Sequence, residues 1–205
     1  FLTLPEMTMQ LNFALVKKNR GSLRAEVTAL AQASRIVSAS VRRRARQIRL
    51  LLMDVDGVLT DGRIWLQSLP DGTATEIKGF SAYDGAGLKL AQLSGLRTGL
   101  ITGRESPATT RRAQEVEMEF VYQNRGEKLP AYEEILRKAG LRDAEVAYVA
   151  DDLPDLPVLR RVGLGVAVAN AVPEVKKAAH CVTSKTGGNG AVREVIELLL
   201  RAQGK

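Results

Sequence analysis

The chain has 205 residues, 45% of them apolar and 26% charged, with a single cysteine, Cys181. That balance excludes a disordered chain, a collagen, a disulfide scaffold and a cysteine-rich zinc site, and no apolar run is long enough to span a bilayer. The net charge of +7 points toward a nucleic-acid partner until it is located: ten of the 30 basic residues but two of the 23 acidic ones precede residue 50, so the rest is almost neutral.

Residues 1–47 therefore read as a basic N-terminal extension, partly helical from Ser22 to Gln47, and 48–205 as the main domain. Scattered serines among arginines give the extension the composition of a transit peptide, and Arg42–Arg46 has the footprint of an RNA- or lipid-binding run. Near absence of aromatics argues against base stacking, and no nucleic-acid partner is expected for the body. A lone cysteine suits a reducing compartment, and a cytoplasmic protein is expected.

From Ile48 the pattern becomes strand, then helix, repeated. Ile48–Met53 is an apolar run of the kind buried on both faces of a sheet. Arg63–Leu66 and Thr73–Lys78 flank Pro70-Asp71-Gly72, which predicts a β-hairpin. A helix carrying Leu88, Ala91 and Leu93 follows, stopped at Gly95. Then come a strand at Leu96–Ile101, another at Glu119–Tyr122, and a helix over Leu129–Ala139 ended by Gly140. Strands at Val146–Ala150 and Gly165–Ala169 precede a last helix with Val192, Val195, Ile196 and Leu199. His180-Cys181 is expected in the core or at a strand edge, without a function. The alternation predicts an α/β fold: a parallel sheet with helices on both faces and a β-hairpin flap after the first strand.

Polar residues follow three of these strands: Asp54-Val55-Asp56-Gly57, Thr102-Gly103-Arg104, and Asp151-Asp152 with Asp155. Carboxyl ends of parallel strands face one crevice, so these groups converge. Two like charges about 4 Å apart repel by roughly 4 kcal/mol at an effective dielectric near 20, so the cluster demands protons or a cation. An all-oxygen donor set with no nearby histidine suits Mg²⁺, which shares its shell readily with phosphate. Lys128, at a helix start, adds positive charge. Carboxylates, Mg²⁺, a lysine and a small hydroxyl describe phosphoryl transfer.

Asp54–Gly62, Ile101–Arg104, Lys128 and Asp151–Asp155 resemble the four motifs of the haloacid dehalogenase superfamily. Asp84-Gly85-x-Gly87, Lys128-Leu129-Pro130 and the tail Gly187–Glu194 resemble its capless branch, the 3-deoxy-D-manno-octulosonate 8-phosphate phosphatases. The resemblance implies a Rossmann-like fold with no cap domain and a Mg²⁺-dependent phosphoric monoester hydrolase acting on a phosphorylated sugar acid, in lipopolysaccharide precursor synthesis. It implies Asp54 as nucleophile forming an aspartyl-phosphate and Asp56 as general acid and base. It further implies Mg²⁺ on Asp54, the Asp56 carbonyl and Asp151 with Asp152 behind, and phosphoryl binding by Thr102, Gly103, Arg104 and Lys128. Tyr83, Asp84 and Gly85 are implied as substrate contacts; Tyr83 stands where the family often has arginine, which leaves the choice of sugar acid open. The resemblance also implies a homotetramer whose hairpins pair in a central barrel, with hairpin and tail of a neighbour closing each site. A phosphatase for another nonulosonate or small metabolite, a non-catalytic oligomerisation module, and an RNA- or lipid-associated protein are the alternatives. Asp56 speaks against the module, which has no need of a general acid.

Overall fold

The computed structural model describes residues 38–205. The transit-like composition and the helix expected from Ser22 lie mostly outside the described residues. Six parallel strands form one sheet, in the order β5-β4-β1-β6-β7-β8. Central β1 (Leu50–Met53) is buried along its whole length, which accounts for its unbroken apolar run. It pairs with β4 (Arg97–Ile101) and β6 (Val146–Ala150), with Met53 opposite Leu100 and Val149. That register brings Asp54, Thr102 and Asp151 out at the same carboxyl edge.

β5 (Phe120–Tyr122) flanks β4, and β7 (Leu164–Ala167) flanks β6. The two-residue β8 (Cys181–Val182) extends the sheet beside β7, so Cys181 sits at a strand edge. Ahead of it, the His180 Nδ1 accepts the Gly165 N–H at 2.9 Å.

The helices pack in two groups. α7 (Ala191–Ala202) packs against both α1 (Ala39–Ala45) and α2 (Ala82–Leu93). α4 (Lys128–Ala139), α5 (Leu156–Leu159) and α6 (Pro173–Ala178) form the other group. α7 buries Val192, Val195, Ile196, Leu199 and Leu200, the i, i+3, i+4, i+7 stripe that its sequence predicts. At about 1.5–3 kcal/mol per buried aliphatic side chain, this stripe dominates the attachment of the tail.

Two differences from the sequence reading have simple causes. The compact unit begins at Ala39, not at residue 48. α1 is arginine-rich, yet Val41 and Ala45 are buried on one side, and the Gln203 side chain donates to the Ala45 and Ile48 carbonyls at 3.1 and 2.8 Å. The helix itself falls within the stretch expected to be helical; its charge density hid that one side of it is buried. α3 (Pro107–Glu115) also went unforeseen, because only Thr109 and Ala113 face inward and no apolar stripe marks it.

The hairpin forms as expected: β2 (Trp65–Ser68) and β3 (Ala74–Ile77) pair antiparallel with Trp65 opposite Ile77. Its turn closes through Leu69 N–H to Thr73 O at 2.8 Å, Gly72 takes a φ of +84°, and the Asp71 carboxylate accepts the Thr73 N–H at 2.9 Å. Most of the hairpin is exposed, including Ile64, Trp65, Leu66 and Ile77. No helix of the described residues is long and apolar enough to cross a membrane.

Candidate active site

Asp54 ends β1, its N–H held by the Val149 carbonyl at 3.1 Å. The chain then turns sharply: the N–H groups of Val58, Leu59 and Thr60 converge on the Val55 carbonyl at 3.2, 2.9 and 3.0 Å. Gly57 is required here twice over. Its φ is +87°, and a Cβ would lie 1.9 Å from Asp151 Oδ2, so the Asp151 carboxylate rests directly against the turn.

Lys128, the first residue of α4, reaches into this space with a side chain only 3% exposed. Its Nζ lies 2.9 Å from Asp54 Oδ1 and 2.6 Å from Asp155 Oδ1. Asp155 is wholly buried and also accepts the Tyr148 hydroxyl at 2.7 Å. Asp54, Asp151 and Asp155 each offer an oxygen, all within 4.8 Å of one another. Thr102, buried and in register with Asp54 and Asp151 at the strand ends, accepts the Arg104 N–H on its hydroxyl at 3.5 Å.

The electrostatics follow from crowding. Burial, then Asp155, pushes the Asp54 carboxyl up to about 6 against the opposing pull of Lys128. Burial, then Asp54 and Asp155, pushes Asp151 up to about 8. Burial works to lower Lys128, but Asp54 and Asp155 prevail and hold its ammonium above its usual range. One lysine does not compensate three carboxylates. Asp151 Oδ1 and Asp155 Oδ2 are buried without a hydrogen-bond partner among the described residues. A hard divalent cation with oxygen ligands fits this set.

Asp56 belongs to a neighbouring network. Its Oδ1 pairs with Lys78 and its Oδ2 lies 3.5 Å from Arg104 Nε. Arg104 and Lys78 both pair with Glu76, so the loops after β1 and β4 are joined to the base of the hairpin. The sequence reading treated the hairpin as an oligomerisation element and missed Glu76 and Lys78. Their signal was the two-residue alternation that places both on one face, opposite Ile77.

Three expected site residues are used otherwise. Asp152 is exposed and turns its carboxylate onto the Leu153 N–H at 2.8 Å, capping a short 3-10 turn. Asp155 takes the place in the cluster that Asp152 was expected to hold, because that turn swings Asp155 inward. Asp84 is buried with Oδ1 on the Arg193 N–H at 2.7 Å and Oδ2 on the Gly190 N–H at 3.2 Å, so it pins the start of α7. Gly85 leaves room for Arg112, whose Nη2 would lie 2.2 Å from a Cβ there. Tyr83, by contrast, is 75% exposed and free of these tasks.

Gly187 and Gly188 pack on the Gly57–Asp61 loop of their own chain, where a Cβ on Gly187 would lie 1.8 Å from the Gly57 carbonyl. Asn170 bridges the two, donating to Gly57 O at 3.0 Å and accepting the Gly187 N–H at 2.7 Å.

Residues 101–196 match the haloacid dehalogenase-like hydrolase family. The chain is 44% identical over 169 residues to the 3-deoxy-D-manno-octulosonate 8-phosphate phosphatase of Escherichia coli, covering 82% of this chain and 88% of that one. Among solved structures, the corresponding phosphatase of Yersinia pestis superposes with a TM-score of 0.78 at 43% identity, over 82% of this chain and 89% of that one. The Moraxella catarrhalis phosphatase, solved with magnesium, phosphate and its sugar acid, superposes with a TM-score of 0.76 at 41% identity, over 80% and 92% of the two chains.

Proposed function

The chain belongs to the 3-deoxy-D-manno-octulosonate 8-phosphate phosphatases of the haloacid dehalogenase-like hydrolases, and from that premise we propose that it hydrolyses this sugar-acid phosphate with Mg²⁺. The observation that carries the reading is the placement of Asp54. It is a buried carboxylate held by Lys128 at 2.9 Å, beside Asp151 and Asp155 at the carboxyl edge of a parallel sheet.

Asp54 attacks phosphorus, forming an aspartyl-phosphate and releasing the sugar alcohol. Asp56 gives a proton to the departing oxygen and takes one from the water that then cleaves the acyl phosphate. Lys128 and the Thr102 hydroxyl, with the Gly103 N–H, face the phosphoryl oxygens as charge moves onto them. Asp54, Asp151 and Asp155, with the Asp56 carbonyl, hold the metal in this reading. Bound Mg²⁺ neutralises the carboxylates and draws charge from the phosphoryl group.

The exposed apolar hairpin supports a homotetramer. Ile64, Trp65, Leu66 and Ile77 are 51%, 58%, 68% and 49% exposed. Trp65 and Ile77 share one face; Leu66 lies opposite Glu76 on the other. A two-stranded ribbon this open is marginal alone and gains from pairing with copies of itself. Cytoplasmic action in lipopolysaccharide precursor synthesis completes the reading, in keeping with a cysteine that has no partner within the chain.

Phosphate release from 3-deoxy-D-manno-octulosonate 8-phosphate, assayed with Mg²⁺, with chelator and with Asp54→Asn, tests the proposal. Turnover only by the metal-loaded parent protein is expected. A second substrate, another nonulosonate phosphate, is favoured by one observation: Tyr83 offers a phenol at the surface, where many relatives are expected to offer a guanidinium. Parallel assay of both substrates decides between them.

A further inference from the structure

Lys78 lies 22 residues from Asp56 in sequence and belongs to the hairpin, yet its side chain is only 2% exposed. A buried ammonium needs compensating anions. The structure supplies two: Asp56 Oδ1, in direct hydrogen-bond contact, and Glu76 Oε1 at 3.5 Å. Glu76 turns its other oxygen to Arg104, and Arg104 Nε reaches Asp56 Oδ2 at 3.5 Å. With Asp56 as the carboxylate it becomes once its proton has passed to the leaving oxygen, Asp56, Lys78, Glu76 and Arg104 close a ring of alternating charge with zero formal sum. Asp56 Oδ1 is hydrogen-bonded within it, while Oδ2 has only the charge contact with Arg104. The Thr60 hydroxyl adds a longer contact to Oδ1 at 3.5 Å.

We propose that Lys78 is a positioning residue for the phosphatase reaction: the hairpin delivers it to hold the Asp56 carboxylate where proton transfer occurs. The inference rests on the phosphatase reading given above. The ring also ties the hairpin to the loops after β1 and β4. Alternation along the chain puts Glu76 and Lys78 on the site-facing side and leaves Ile77 on the other. Asp56 sits on a loop, and a loop carboxylate has many rotamers and solvated positions open to it. A lysine with no water to turn to removes most of them. The gain is one of orientation, and proton transfer is sensitive to such geometry.

The consequence is specific to the leaving group. A sugar alcohol cannot depart without a proton, whereas a nitrophenolate can. Lys78→Met should therefore cut kcat on the sugar-acid phosphate toward the roughly 10²–10⁴-fold range that general acid catalysis contributes. On nitrophenyl phosphate it should cost less than about tenfold, and KM for the sugar-acid phosphate should stay within about threefold, since Lys78 contacts no phosphoryl-binding group. Lys78→Arg, which keeps the charge and a donor, should recover part of the loss. In an Asp56→Asn background, where no carboxylate remains to be placed, Lys78→Met should have no further effect.

The test measures kcat and KM for the parent, Lys78→Met, Lys78→Arg, Asp56→Asn and the Asp56→Asn/Lys78→Met pair on both substrates with Mg²⁺. The double variant removes both charges of the pair, so it reports even if Lys78→Met alone folds poorly. Equal losses on the two substrates, or a full additional loss in the Asp56→Asn background, overturn the proposal. Failure of the underlying reading looks different: the parent protein then releases phosphate from neither substrate.

Discussion

Replacing Lys128 with methionine, which keeps most of its length but not its charge, tests whether the ammonium holds the carboxylate cluster together. Lys128 lies 2.9 Å from Asp54 and 2.6 Å from Asp155, and these three side chains are 3%, 13% and 0% exposed. Removing one partner of a buried pair costs about 3–5 kcal/mol. For a domain of this size each kcal/mol moves the melting point by about 2–4 °C, so the metal-free variant should melt roughly 6–20 °C lower near neutral pH. The deficit must also depend on pH. Lys128 is the group that opposes the upward shift of Asp54 and Asp151, already at about 6 and about 8. Without it both rise further. A carboxyl whose folded value is raised is most compatible with the fold when protonated, and stability is lost as pH climbs from the unfolded value through the folded one. The variant's deficit should thus be small near about pH 5 and widen toward about pH 8. Urea unfolding in chelator at both pH values measures it, and added Mg²⁺ should restore part of the loss at the higher pH by replacing the missing positive charge. A deficit below about 1 kcal/mol at the higher pH, or one identical at both, would refute the reasoning.

The other expectations are simpler. Asp54→Asn should abolish turnover yet raise metal-free stability above pH 6 by about 1–3 kcal/mol, since the carboxyl raised from 3.8 to about 6 no longer has to ionise inside the fold; chemical denaturation in chelator reads this. Chelation should remove activity and Mg²⁺ restore it, with Ca²⁺ inhibiting because it takes more ligands at longer distances. Ile64→Lys with Leu66→Lys should dissociate the proposed homotetramer in light scattering, by setting like charges side by side on the hairpin. Deleting residues 1–38 should leave activity and melting unchanged, whereas deleting 1–47 should cost about 2 kcal/mol or more through loss of buried Val41 and Ala45.

Much of the site was legible in the chain because parallel sheets convert sequence order into spatial convergence. Apolar runs long enough to be strands, each followed by a short polar string, suffice to bring Asp54, Thr102 and Asp151 to one edge. Lys128 was readable for a related reason, as the first residue of a helix entering from that edge. Each of these depends on local pattern: a run of buried residues, a glycine that permits a turn, a helix start. What lay beyond the sequence depends on which way a side chain turns between two acceptable partners. Asp152 and Asp155 look equivalent in Asp151-Asp152-Leu153-Pro154-Asp155, and only the 3-10 turn, formed against Tyr148 and Lys128, sends the second inward and the first to cap its own backbone. Asp84 reads as a site carboxylate until α7 packs and presents two unsatisfied N–H groups to it. Glu76 and Lys78 reach Asp56 and Arg104 only after the hairpin settles against loops far away in the chain. Burial patterns are written in the spacing of residues; the pairing of charges is decided by a competition among distant groups that exists only once the chain has folded.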